Sequence, residues 1–183
     1  VITPLVGLMT STAKTSLSFV KLKEDTRLAF QVLLGGADEA QKMLDDLYTF
    51  AKTTPFSYAQ YLTAGKNLTA MGVAAKDVIP YLEGITNASI ATSSGTAGIE
   101  SLSDAIGRMS SKGKMSLEEL NKFLERGVPA VKILGNAFGK TEEQIYDMLS
   151  SGDMVTSKYL PALLKGMNEG TKGINGQTAA YGG

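Results

Sequence analysis

Glycines placed just past stretches of helical periodicity, with capping residues just before them, constrain this chain more than any other feature. Gly35-Gly36, Gly72, Gly113, Gly127, Gly139 and Gly152 each follow a segment whose apolar residues recur three or four apart. The position after a helix end often needs a left-handed backbone, which glycine adopts without steric cost. Helix starts are marked too. Asp38 with Gln41, Ser57 with Gln60, Ser116 with Glu119 and Thr141 with Gln144 all have the spacing of a capping box. In that motif the cap side chain and the third helical residue bond each other's free backbone amides. Losing such a cap costs about 1 kcal/mol. Starts and stops that agree along the chain predict a mainly α fold, a compact bundle of short capped helices.

The periodicity places those helices. Asp38 to Lys52 puts Met43, Leu44, Leu47, Tyr48 and Ala51 on one face that calls for burial. Thr54-Pro55 breaks the chain, because the residue before proline disfavours helix. Ser57 to Met71 is expected to bury Tyr61, Leu62, Leu68 and Met71, and a third helix covers about Asp77 to Ile90 with Pro80 in its first turn. ATSSGTAG, residues 91 to 98, has loop composition. Ile99 to Lys112 follows with Leu102, Ile106 and Met109 inward. Residues 16 to 34 mix a β-like start, Ser16 to Leu22, with helical spacing at Leu22, Thr26, Ala29, Phe30 and Leu33. We expect a helix there, with a short strand pair as the alternative.

The segment Lys114 to Met154 admits two incompatible readings. One is a pair of capped helices about Gly127-Val128-Pro129; the other is a strand, a phosphate-binding loop and a helix. A phosphate loop of the Walker type needs four residues between its first glycine and Gly-Lys-Thr, so that backbone amides can wrap the phosphates. Gly135 to Thr141 has only three, Leu134 stands at the position required of glycine, and Phe138 fills the cradle. The helical reading fits better: Pro129 opens a helix through Phe138, Gly139 stops it, and Thr141 caps the next. Ala130, Ile133, Leu134 and Phe138 then share one side. Residues 116 to 127 also match residues 141 to 152 as cap, Glu or Gln, three apolar pairs (Leu/Ile, Phe/Met, Leu/Leu) and glycine. Such a unit resembles a helix-turn-helix, but its second helix offers Glu142, Glu143, Asp147 and Ser150 outward, which phosphates would repel.

Composition removes several function classes. The 183 residues contain no cysteine and no histidine, so thiol nucleophiles, zinc fingers and Ser-His arrangements are absent. Eighteen basic and eighteen acidic residues cancel, unlike the basic excess of a dedicated nucleic-acid binder. No apolar run approaches the roughly 20 residues of a membrane span. Asp45-Asp46 and Glu118-Glu119 are helical neighbours whose side chains diverge, and Ser11 to Lys14 and Ser18 to Lys21 match a serine-lysine motif without its companions. No catalytic, cofactor-binding or metal-ligating residue is assigned, and no cofactor is expected. The methionines, Met43, Met71, Met109 and Met148 among them, have core spacing.

Several blocks, in order, resemble the N-terminal conserved region of bacteriophage and prophage tail tape measure proteins. They are Thr26 to Phe30 with Leu33 to Gly36, the stretch Asp46 to Phe56 (DLYTFAKTTPF), Gly107 to Leu120 with Glu125 to Pro129, and Gly139 through Gly152. The likeness covers residues 20 to 165. It implies a protein that lies in the growing tail tube and sets its length, acting with tail tube subunits and tail assembly chaperones. It further implies a homo-oligomer of the full-length protein, found in the virion tail and, during assembly, in the host bacterial cytoplasm. None of the matching residues is catalytic in the family. The chain opens on Val1 and reads as an excerpt: a leading segment 1–16, a helical domain 17–167 and a Gly-rich flexible tail 168–183. The expected role is non-enzymatic tail assembly without specific nucleic-acid or membrane binding. A helical regulatory or nucleic-acid-binding module is the alternative, and an NTPase comes third.

Overall fold

The computed structural model describes residues 5–169, with side chains for residues 16–168. Among the described residues the chain forms nine α-helices: α1 Leu5–Leu34, α2 Ala37–Ala51, α3 Tyr58–Ala70, α4 Ala75–Ala91, α5 Gly95–Lys112, α6 Leu117–Glu125, α7 Ala130–Phe138, α8 Glu142–Ser151 and α9 Thr156–Glu169. No strand pair occurs near residues 16–34. α1 runs through them, because Thr26 and Phe30 seat on the bundle and no extended neighbour is there to pair with. The one β-type bridge among the described residues joins Lys114 to Val155.

Helix ends follow the local signals closely. Gly72, Gly113, Gly127, Gly139 and Gly152 all take left-handed φ values between 62° and 90°. Ser57 and Thr141 form complete capping boxes with Gln60 and Gln144. Two expected caps do not form. Asp38 lies inside the first turn of α2, whose N-cap is Gly36. Ser116 is an N-cap, but its hydroxyl donates to the Glu119 carboxylate and not to a helix amide.

Other departures are small and physical. α5 starts at Gly95, so the loop read over residues 91–98 shrinks to 92–94. Gly98 allows this close start: a Cβ there would lie 2.1 Å from Ser94 Oγ and 2.6 Å from Ser89 Oγ. Pro80 sits in the second turn of α4, not the first, and α9 contains Pro161. Both prolines are exposed, where water can serve the carbonyl that each leaves without an N–H. α9 itself was not foreseen, and it carries Asn168 and Glu169 beyond the expected end of the domain. The rest of the expected tail, residues 170–183, lies outside the described residues.

α1 lies against α2 and α3; α5 packs on α3 and α4; α4 joins α9, and α7 packs between α8 and α9. One continuous core links both ends, from Phe30, Leu44, Tyr61 and Leu82 to Phe123, Leu134, Ile145 and Leu163. Each fully buried apolar side chain of this size contributes roughly 1.5–3 kcal/mol. Tyr61 anchors an aromatic corner, with Phe50 edge-on at 4.9 Å and Phe56 at 6.4 Å. Its hydroxyl shares a 2.9 Å hydrogen bond with Thr86, so burial leaves no polar atom of the ring alone. The α5–α6 and α8–α9 connections are clamped by the Met115 amide to Met154 carbonyl bond (2.8 Å) and the Thr156 amide to Gly113 carbonyl bond (3.0 Å).

Candidate interaction surface

The most enzyme-like triplet in the chain, Gly139-Lys140-Thr141, is a helix junction. The residues before it form α7, not a strand. Gly139 is left-handed, the Lys140 amide bonds the Gly135 carbonyl at 2.9 Å, and Thr141 caps α8. These amides are consumed by the polypeptide itself and cannot wrap a phosphate. α8 turns Glu142, Glu143, Asp147 and Ser150 to solvent while Ile145 and Leu149 are buried, so the face that a DNA reader would present is acidic.

Two carboxylates organise the seam between α5 and α6. Glu119 is fully buried and takes a 2.6 Å bond from Lys112 and another from the Ser116 hydroxyl. Burial alone would push its carboxyl up, but the bonds from Lys112 and Ser116 outweigh that and hold it below the ordinary range. Asp104 is gripped from both sides by Arg108 and Lys122. Burial opposes those bonds there as well, and the net shift is again downward. Each cluster pairs one acid with local bases and leaves no unpaired base or nucleophile. Their chemistry is that of fasteners. Among the described residues, no group of three or more acids could hold a metal ion, and no helix is long and apolar enough to cross a membrane.

Among the described residues, six of the eleven exposed large apolar side chains lie on α1. This helix buries one face, at Thr26 and Phe30, against α2 and α3. Its opposite face carries Leu17, Val20, Leu28 and Val32, which are 72%, 62%, 48% and 83% exposed. Scattered apolar residues on a surface are ordinary, but several along one helix face mark a contact site. Lys21 and Glu24 interrupt the stripe, and Glu24 takes a two-pronged ion pair from Arg27 at 2.6 and 2.9 Å.

Across the helix from this stripe, on the side of α1 that meets the bundle, runs an aromatic ladder. Phe19 meets Tyr58 at 6.1 Å, Tyr58 meets Tyr48 at 5.4 Å, and the Lys52 ammonium sits 4.7 Å above Tyr48. Tyr48 was expected in the core; it is 51% exposed, because α2 turns that edge outward and the ring finds Tyr58 there. Met71 also remains half-exposed. An open groove of about 680 Å³ lies between α2 and α4, with Met43, Phe50 and Ile79 under a rim of Lys42, Asp46 and Lys76. Its mixed charges do not select a ligand.

These features define a compact all-helical bundle, with many of its exposed large apolar residues on one long helix. Comparison with known proteins makes the class specific: the tape measure protein family matches residues 14–183, and the chain belongs to it. The family is one of structural proteins related to phage tails. The chain is also 30% identical over 129 residues to the Mu-like prophage FluMu protein gp42 of Haemophilus influenzae. That alignment takes in 69% of this chain and 20% of the relative, so the chain spans about a fifth of the relative's length. No solved structure matches it.

The α1 stripe escaped sequence reasoning, which followed the β-like start at Ser16 to Leu22 and the helical spacing at Leu22, Thr26, Ala29, Phe30 and Leu33. The signal was present. Leu17, Val20, Leu28 and Val32 fall off that face, and a helix apolar on both sides has more than one thing to bury.

Proposed function

We propose that this chain is a non-enzymatic assembly domain of a phage tail tape measure protein, contributing to tail assembly and tail length determination. The family match over residues 14–183 carries the reading. The geometry supports it in two ways: the one nucleotide-like triplet is a helix junction, and the apolar residues exposed along α1 suit a contact face. The domain works in the host bacterial cytoplasm while tails are built and resides in the tail afterwards. Its partners are tail tube subunits, tail assembly chaperones and further copies of the full-length protein. Neither specific nucleic acid nor a membrane is among the partners of this segment. A compact helical bundle cannot itself be a ruler, since only extended chain scales with length; its part is to anchor the ruler to the assembling tail.

The test uses the 183-residue chain with purified tail tube subunit and tail assembly chaperone encoded beside its parent gene. Co-elution with at least one on size exclusion, saturable on titration, is the expected result. Failure to associate with both, in isolation or together, would oppose the reading.

A further inference from the structure

The outer face of α1 is built to meet itself. At 100° per residue, Leu17, Lys21, Glu24 and Leu28 fall within about 60° of one another around the helix, with Val20 and Val32 flanking them. No ion pair of Lys21 is found among the described residues. Two such faces laid antiparallel, with the two-fold axis between residues 22 and 23, set Leu17 against Leu28 of the second copy. The same register sets Lys21 against Glu24 of the second copy, and the symmetry repeats both layers. A parallel pair would instead stack Lys21 on Lys21 and Glu24 on Glu24, and like charges at facing positions repel. The antiparallel register overlaps α1 from residue 11 to residue 34, about 35 Å of helix at 1.5 Å per residue.

We infer that α1 is a homodimerisation helix, pairing antiparallel with α1 of a second copy of this chain through Leu17–Leu28 and Lys21–Glu24 layers. The inference names a surface for the self-association proposed above and rests on that part of the reading only. Glu24 would then lie between Arg27 of its own helix and Lys21 of the second copy, an acid shared by two bases. The remaining bundle lies on the buried side of α1 and stays clear of the pairing face.

Sedimentation equilibrium of the 183-residue chain tests this, with circular dichroism to check that each variant keeps its helices. The wild type is expected to be a monomer–dimer system. Lys21→Glu alone, or Glu24→Lys alone, brings like charges together in two layers and should raise the dimer dissociation constant about tenfold. The double variant, Lys21→Glu with Glu24→Lys, restores opposite charges in the antiparallel register and should recover most of the loss. Both changes are at exposed positions, so folding is not at stake. A chain that stays monomeric, single variants that leave the dimer unchanged, or a double variant no better than the singles would each overturn the interface. None of those results would bear on association with tail proteins, which the co-elution experiment reads separately.

Discussion

The Thr156 hydroxyl donates a 2.7 Å hydrogen bond to the Met109 main-chain carbonyl, 47 residues away, and both residues are buried. Met109 lies in the last turn of α5, where carbonyls lack helical partners. The Gly113 amide turns to Ser110 instead, which leaves the Met109 carbonyl for Thr156. The start of α9 thus serves as a side-chain cap for α5. Thr156→Val keeps the shape but strands that carbonyl, and should lower unfolding free energy by about 1–3 kcal/mol in urea titrations. A loss below half a kcal/mol would show that the clamp rests on backbone pairing alone.

Acid should loosen the α5–α6 seam. Glu119 and Asp104 have folded-state pKa values held below their ordinary values, so between folded and unfolded values the unfolded chain binds more protons. Stability from these groups is therefore present above the ordinary carboxylate range and is lost as pH falls through the lowered values. Thermal melts from pH 6 down to pH 3 should show a falling midpoint. Glu119→Gln should start lower at pH 6 and decline less steeply. An unchanged slope would remove Glu119 from the account.

Glycines inside helices should separate by what faces them. A Cβ at Gly166 would lie 2.2 Å from Ile133 Cγ2, on a β-branched side chain with little freedom in a helix. Overpacking of this kind costs about 1–3 kcal/mol, more than the roughly 1 kcal/mol that alanine adds to helix propensity. Gly166→Ala should therefore destabilise. At Gly107 the obstacle is the sulfur of half-exposed Met71, 2.3 Å away, which can swing aside. Met71 Cβ, at 3.2 Å, must give by a few tenths of an ångström, so Gly107→Ala should cost less than Gly166→Ala.

Caps that form should be distinguishable from caps that do not. Thr141→Ala removes a side chain that accepts the Gln144 amide at 3.2 Å and should cost about 1 kcal/mol. Asp38→Ala removes no cap and should cost about half that or less, through the helix dipole alone. Equal losses at the two sites would contradict the assignment of α2's start to Gly36.

These contrasts explain what was legible in the sequence. Gly139 and Thr141 could be read because a helix stop and a helix cap are settled within four residues of chain. Buried stripes such as Leu102, Ile106 and Met109 could be read because helical spacing already states which side faces inward. Glu119 could not: its burial depends on Lys112 arriving from α5, and its spacing to Ser116 imitates an ordinary cap. α9 was not placed, although Tyr159, Leu160, Leu163, Leu164 and Met167 form a clear stripe; the Gly-rich composition was read only from residue 168 onward. The α1 surface could not be placed until the bundle showed which of its two apolar sides was covered.

The central claim is that this domain acts in tail assembly as a structural part. The most direct measurement is electron microscopy of particles from an induced prophage whose parent gene lacks residues 14–169 in frame, beside one carrying Lys140→Ala. The account predicts that the deletion nearly abolishes tails, while Lys140→Ala, changed at an exposed helix junction, yields tails of normal number and length. Normal tails without the domain, or loss of tails from Lys140→Ala in a folded protein, would contradict it.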